Sequence, residues 1–456
     1  MRHHSQSRTR VQPPGAGTEI RSSAPRTGFL DTWAALTKDV ILPTVPRRRG
    51  RKPRGPLTQL LPALIFHVMQ EVGTLSEHAA ELFGESLADS SWSDRRRRLP
   101  WEICAELMRR VLRPRATAAQ PAAFWRGWRL VAIDGTQFSL TNTPQIRAAR
   151  VKARSRRGRA AFAKLPAVVL VELGLHNPLA AAIGRQGESE WVLAHQVLPQ
   201  MPPRALLLGD RLYGCAAFVA QAWPVCQACG SHVLVRVRSR IVVEARRRLR
   251  DGSRLVRVPV RDPEDKNRVV THLDLREIRV RVGRPGHRAV ALRLWTTLGN
   301  PRTAPAGEVA ELYARRWEHE LYFRELKREL RKSDLLHSQT VDTAAQEVAA
   351  VVVASAVLAA TRASATDGEL PALRVSFRTL LRIVQALWVA LDVGRDILSE
   401  RQKQQLVERG EARMRTLLTP RRRPRTCPRK VRRPVTRWPR LMRNESVEAP
   451  FQFQIV

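Results

Sequence analysis

Apolar positions along this chain change their spacing twice, and each change marks a different kind of structure. Over 57–69 they recur at helical intervals (Leu61, Leu64, Ile65, Val68, Met69). Helical periods return over 76–83 and 101–112, with Arg95, Arg96, Arg97 and Arg98 between them. The stretch 29–120 therefore reads as a small basic helical domain. From 130 onward the apolar residues bunch into short runs: LVAI at 130–133, AVVLVELGL at 167–175, AAAI at 180–183 and ALLL at 205–208, with a helical stretch at 191–197. Strand-like runs separated by helix signals predict an α/β domain with a buried sheet.

Between 232 and 298 the texture becomes β-rich. HVLVRVRSRIVV and VVTHLDLREIRVRV alternate apolar and polar residues at period two, which predicts strands with one wet and one buried face. This reads as a β domain inserted into the α/β one. After Pro305 helical periods return to about 330, then over 341–362 and 372–398. Residues 1–28, rich in Arg, Ser, Pro, Gly and Gln, read as a flexible basic arm, and 420–443 form a Pro-interrupted tail with eleven Lys and Arg and no acid.

Charge narrows the partners. Lys and Arg total 80 against 41 Asp and Glu, a net charge of +39, while 43% hydrophobic residues mark a chain that folds. Such a surplus calls for a polyanion, nucleic acid first and an anionic membrane surface second. The longest apolar run, 348–360, has 13 residues, short of the ~20 that span a bilayer, and no apolar segment follows Met1 as a secretory signal would. Five cysteines, an odd number, argue against a disulfide framework and for a reducing cytoplasm. Membrane-spanning, secreted-scaffold and collagen-like classes are excluded on these grounds.

Candidate chemistry begins at two strand ends. Asp134 and Asp210 each close an apolar run, at the edge where α/β sheets form their sites, although aspartate also terminates strands without any function. A third carboxylate lies on a charged helical stretch. At ~100° per residue, Tyr313, Arg316, Glu320 and Lys327 fall on one face about 60° wide. That stripe suits a site for a phosphodiester and a metal, while a solvated face with i,i+4 ion pairs in this charge-dense helix (Glu318, Arg324, Glu325, Arg328, Glu329) would also give it. Three carboxylates together make a hard oxygen site for Mg²⁺ or Mn²⁺, and two such ions ~4 Å apart serve in-line phosphoryl transfer. The run Arg147, Arg150, Lys152, Arg154, Arg156, Arg157 and Arg159 is either solvated or laid on a DNA backbone. Cys226, Cys229 and His232 resemble half a zinc site, yet no second ligand pair follows and free cysteines explain them as well. Trp317, on the charged helix, is expected to pack.

Tyr313, two residues, Arg316, three residues, Glu320, six residues, Lys327 is similar to the YREK signature of transposases of the insertion sequence four family. Asp134 in AIDGT and Asp210 in LLLGDRLYG resemble the first two acids of that family's DDE triad. The resemblance extends over roughly 40–440: PRRRGRKPRGPLTQLLPALIF near the start, GRAAF with VVLVELGLH and AAAIG after the first acid, LLHSQTVDTAAQEV after the signature, and PRTCPRKVRRPVTRWP near the end. One departure concerns the residues after Asp210, where relatives usually carry an aromatic two places on and this chain has it one place later, at Tyr213.

The resemblance implies an α/β fold with an RNase H-like core, an N-terminal helical DNA-binding domain, C-terminal helices and a β-rich insertion between the second Asp and the Glu. Here that gap is 320 − 210 = 110 residues and contains the β-rich stretch. The implied division is an arm at 1–28, helical domain at 29–120, core at 121–210 and 306–362, insertion at 211–305, and C-terminal helices with tail at 363–456. It further implies a transposase that binds its element's ends, cuts them with one or two Mg²⁺ or Mn²⁺ ions on Asp134, Asp210 and Glu320 through a DNA hairpin, and joins them to target DNA. Tyr313, Arg316, Lys327, Arg154, Arg156 and Arg157 are then expected on DNA. Trp295 is a candidate for stacking an extruded base, although a strand Trp is also an ordinary core residue. The implied partners are double-stranded DNA (terminal inverted repeats and target) and a second copy in the DNA complex, with no membrane, in a bacterial cytoplasm at the nucleoid. A non-catalytic DNA-binding protein descended from a decayed transposase is the alternative. A nucleoid packer, the third class, has no need of carboxylates at strand ends.

Overall fold

Helices come first, as the apolar period predicts: α1 (Phe29–Thr37), α2 (Leu57–Met69), α3 (Leu75–Phe83), α4 (Asp89–Arg98) and α5 (Trp101–Val111). The computed structural model describes residues 28–37, 57–84, 87–155, 158–238, 241–284, 287–366, 368, 370–419 and 452–455. The expected basic arm (but for Gly28), the expected tail at 420–443, Arg156 and Arg157 lie outside them. Thr74 and Glu77 form a reciprocal capping box at the start of α3, and Gly84, at φ 67°, ends it in the left-handed conformation that glycine adopts without a Cβ penalty. Arg95 to Arg98 are not a spacer between helices. They form the last turn of α4, where cations face the negative end of the helix dipole.

The α/β core follows as β1 (Phe124–Trp125), β2 (Trp128–Ser139), α6 (Pro144–Ala149), the hairpin β3 (Arg154–Ser155) and β4 (Gly158–Arg159), β5 (Lys164–Glu172), β6 (Asn177–Ile183), α7 (Glu190–Val197), β7 (Ala205–Gly209), α8 (Ala216–Ala228) and β8 (His232–Arg236). In space the strands run β6-β5-β2-β7-β8. The first three pair antiparallel, while β2, β7 and β8 pair parallel. Three antiparallel strands followed by two parallel ones, joined through helices, give the RNase H-like order. β5 and β7 are buried on both faces, hence their unbroken apolar runs.

Next come β9 (Glu244–Arg248), β10 (Arg254–Arg261), β11 (Val269–Arg284) and β12 (His287–Thr296), all antiparallel. They do not stand apart: β12 pairs with β8, so the inserted strands prolong the central sheet to eleven strands among the described residues. The stretch 211–305 thus opens with α8 and β8, which belong to the core because a parallel partner for β7 needs a helical crossover. The antiparallel insertion starts only at β9.

The chain returns through α9 (Ala306–Tyr313), a 3₁₀ turn at Ala314–Arg316, α10 (Trp317–Arg324) and a π-helical turn at Glu325–Leu330. Then come α11 (Val341–Thr366), α12 (Phe377–Val393), α13 (Glu400–Thr416) and a last strand, β13 (Gln452–Ile455), which pairs with β11. By length and composition α11 could cross a bilayer, more than the uninterrupted run 348–360 foretells. Almost every one of its side chains is buried, since it packs between the N-terminal helices and β6.

Candidate active site

Two strands bring the first two acids together. The parallel ladder between β2 and β7 runs from Arg129 opposite Ala205 to Ile133 opposite Gly209. Asp134 and Asp210 are each the next residue, so they leave the ladder side by side. β2 itself does not end there: it continues to Ser139, with Asp134 opposite Val169 of β5. Asp134 is therefore inside a strand, at the point where that strand parts from its parallel neighbour. Its carboxylate accepts the Gly135 amide at 2.9 Å, and Asp210 accepts the Leu212 amide at 2.7 Å.

Arg316 brings in the third acid. Its guanidinium donates to Glu320 Oε1 at 2.8 Å and reaches Asp134 Oδ2 at 3.5 Å. The stretch carrying these residues is not one α-helix as the face arithmetic assumes, because the 3₁₀ turn precedes Glu320 and the π turn holds Lys327. Glu320 still stands one turn past Arg316, at i+4. Lys327 is displaced along β2: its Nζ donates to the Gln137 carbonyl at 2.7 Å and lies 5.0 Å from the centre of the Phe138 ring. Tyr313 is buried, and its hydroxyl donates to the Gly209 carbonyl at 3.3 Å, fixing the end of β7 just before Asp210.

Charge in this cleft is poorly balanced. Burial, then the neighbouring Asp210, raises the Asp134 carboxyl to about 7, against the opposing pull of Arg316. Burial works against the Arg316 charge, but Glu320, Tyr313 and Asp134 more than offset it and hold the guanidinium above its ordinary value. Burial lowers Lys327 and pushes Tyr313 up to about 12. An excess of buried carboxylate that has to take up protons near neutrality is the environment a divalent cation relieves, and all-oxygen donors suit Mg²⁺ or Mn²⁺. With Arg316 lying between Asp134 and Glu320, no three acidic, His or Cys side chains among the described residues close to metal-holding distance.

Other expected residues lie elsewhere. Trp295 is fully buried, and its indole N–H donates to Glu277 at 3.1 Å, so as it stands it packs the core and offers no open ring to a base. Arg154 is exposed on the β3–β4 hairpin. Trp317 is 58% exposed and does not pack, because His319, Tyr322 and Phe323 take the buried face of α10 opposite it. Cys226 is in the core, Cys229 contacts the Ser231 hydroxyl and His232 bonds Thr297. Glu190, at the start of α7, joins the site without any signal in the sequence: its carboxylate accepts the Tyr213 hydroxyl at 3.0 Å and lies beside Gly135. An acid in a helix's first turn is usually there for the dipole, so nothing in the sequence singles it out.

Residues 125–357, just over half of the chain, match the family model described as the transposase DDE domain. The chain belongs to that family. All three acids and the whole signature lie within those residues. It is 30% identical over 254 residues to the transposase InsG for insertion sequence element IS4 of Escherichia coli K12, covering 54% of this chain and 55% of that one. It is 31% identical over 128 residues to the putative transposase InsZ of the same strain, 28% of this chain and 43% of that one. The chain spans about half the length of the curated relatives it matches. Among solved structures it is similar to piggyBac transposase in a synaptic complex with hairpin DNA, at 8% identity and a TM-score of 0.45 over 85% of each chain.

Proposed function

We propose that this chain binds the ends of an insertion sequence, cuts them by metal-dependent phosphoryl transfer through a DNA hairpin, and joins them to target DNA. The observation that carries this reading is the placement of Asp134 and Asp210 in register just past the β2–β7 ladder, with Glu320 drawn to the same point by Arg316. When bound, one or two divalent cations activate the attacking oxygen and neutralise the leaving one.

The chain's own groups do the rest. Asp134, Asp210 and Glu320 would hold the cations. Arg316 can fork onto two oxygens of the scissile phosphate, while Lys327, further along β2, acts as a point charge on its neighbour. Tyr313 steadies the strand end that carries Asp210. Arg154, with Arg156 and Arg157, tracks the flanking backbone, and a second copy of the chain joins the complex with the paired ends, in a bacterial cytoplasm at the nucleoid. The other reading, a decayed non-catalytic copy, retains DNA binding alone.

Incubating the full chain with Mn²⁺ and DNA carrying the element's own ends tests this. End-specific nicks are expected from the wild type. Asp134→Ala, Asp210→Ala and Glu320→Ala should each abolish nicking and keep DNA binding. Near-normal cleavage by any one of them removes that residue from the triad, and no cleavage by the wild type favours the binding-only reading.

A further inference from the structure

The catalytic cleft holds one more acid than the DDE triad requires. Glu190 begins α7, whose N-cap, Ser189, accepts the Val192 amide, so the helix start is fixed in place. From there the carboxylate reaches back over β2 and lies flat on Gly135, the residue after Asp134. A Cβ at Gly135 would collide with the carboxyl carbon and both carboxyl oxygens of Glu190, so only glycine admits this approach. The Gly135 amide serves both acids, donating to Asp134 and polarising Glu190. On the other side the buried Tyr213 hydroxyl donates to Glu190 Oε1 at 3.0 Å.

Tyr213 is the aromatic that falls one place late after Asp210. Its position is explained by this contact: Gly209, Asp210 and Tyr213 form the turn leaving β7, with the Gly214 amide bonded back to the Asp210 carbonyl at 3.1 Å, and that turn aims the phenol at Glu190. The same turn thus sets both Asp210 and Glu190. Glu320, by contrast, is ion-paired to Arg316. Glu190 is a half-buried carboxylate in the electrostatic field of Asp134 and Asp210, with no ion-paired cation among the described residues, an arrangement unfavourable for folding alone.

We infer that Glu190 is a fourth carboxylate of the catalytic centre, set by Tyr213 and Gly135 to serve the cation that Asp134 and Asp210 would hold. This rests on the proposed metal-dependent function. Loss of a group that supports or completes a metal site costs about 10–100-fold in metal affinity.

The test titrates Mn²⁺ into the DNA-free full chain and follows free Mn²⁺ by electron paramagnetic resonance. Glu190→Gln keeps the shape and an acceptor for Tyr213 but removes the charge. Its Mn²⁺ affinity should fall about tenfold or more, and Mn²⁺ should raise its melting temperature less than it raises that of the wild type. Glu188→Gln, whose carboxylate serves the Gln186 amide of its own loop at 2.7 Å, should bind like wild type. Tyr213→Phe, which retains all four acids and only frees Glu190, should lose a few-fold and covers the case in which Glu190→Gln fails to fold. If Asp134→Ala loses Mn²⁺ while Glu190→Gln and Tyr213→Phe bind as wild type, the inference is wrong and the metal site stands. If Asp134→Ala also binds as wild type, the metal-dependent reading itself fails.

Discussion

Arg316 touches both Asp134 and Glu320, so its charge offsets theirs while no cation is bound. Removing it leaves the acids more repulsive and more available. In the DNA-free protein Arg316→Ala should therefore bind Mn²⁺ at least as tightly as wild type, whereas Glu320→Ala should bind it more weakly. With DNA the order changes: one charge-assisted contact is worth about 1.5–3 kcal/mol, so the end complex of Arg316→Ala should weaken about ten- to a hundredfold. Arg316→Lys should recover only part, because an ammonium cannot fork onto two phosphate oxygens. Calorimetric Mn²⁺ titration and band-shift assays on end DNA check the two halves, and equal loss of Mn²⁺ by Arg316→Ala and Glu320→Ala would overturn this division of labour. At this scale the sequence was legible where an acid closed an apolar run, as at Asp134 and Asp210. It was illegible where the outcome depended on which face packed. Trp317, expected to pack, is exposed, whereas Trp295, open to either a stacking or a core role, is buried. Glu190 acquires its place from a glycine 55 residues earlier, 190 − 135, a distance no local pattern spans.

Between elements, buried carboxylates act as joints. Glu172 at the end of β5 accepts the Arg115 and Ala116 amides at 3.0 and 3.1 Å, Asn177 at 2.8 Å and the Arg129 guanidinium, tying the strand to the segment that follows α5. Glu347 of α11 likewise holds Arg331 and Ser338. Breaking such a node leaves buried donors uncompensated, so Glu172→Ala should cost about 3–5 kcal/mol. The exposed pair Arg126–Glu308 should cost less than ~1 kcal/mol in Glu308→Ala. Comparative thermal melts decide whether burial or mere pairing matters. A second joint titrates. His67 of α2 lies 2.8 Å, Nδ1 to Nδ1, from His78 of α3. Burial, then His78 and Arg96, lower its pKa to about 4, with Glu347 opposing and His337 adding to the depression. The unfolded chain, at about 6.5, then binds more protons than the folded one between pH 6.5 and 4, so stability falls as pH drops through that window. The loss should reach up to ~3 kcal/mol, and His67→Asn should flatten the dependence of melting temperature on pH there. Apolar periods announced most of these helices and strands. They did not announce that the inserted strands would join the core sheet, because the β8–β12 pairing closes a long-range contact that neither strand's alternation records.

Over the whole molecule the dominant fact is charge. A surplus of +39 has few internal partners, since many of the 41 acids are already committed to joints such as Glu172, Glu277 and Glu347. The remaining cations must act outward. α13 ends at Thr416 and β13 pairs with β11 of the inserted sheet from Gln452 to Ile455, and the eleven Lys and Arg of 420–443 fall between these two elements in the sequence. If that segment lies on DNA, each phosphate it neutralises adds about 0.9 to the slope of log affinity against log salt. Two truncations separate the charge from the anchor. A chain ending at 451 loses β13 alone and keeps every basic residue of the tail, so its slope should stay within one contact of the full chain. A chain ending at 419 loses the charge as well, and its slope should flatten by several contacts while affinity at low salt drops by orders of magnitude. Equal slopes for all three chains would put the tail off the DNA and leave the helical domain and the insertion to carry the electrostatic part of binding.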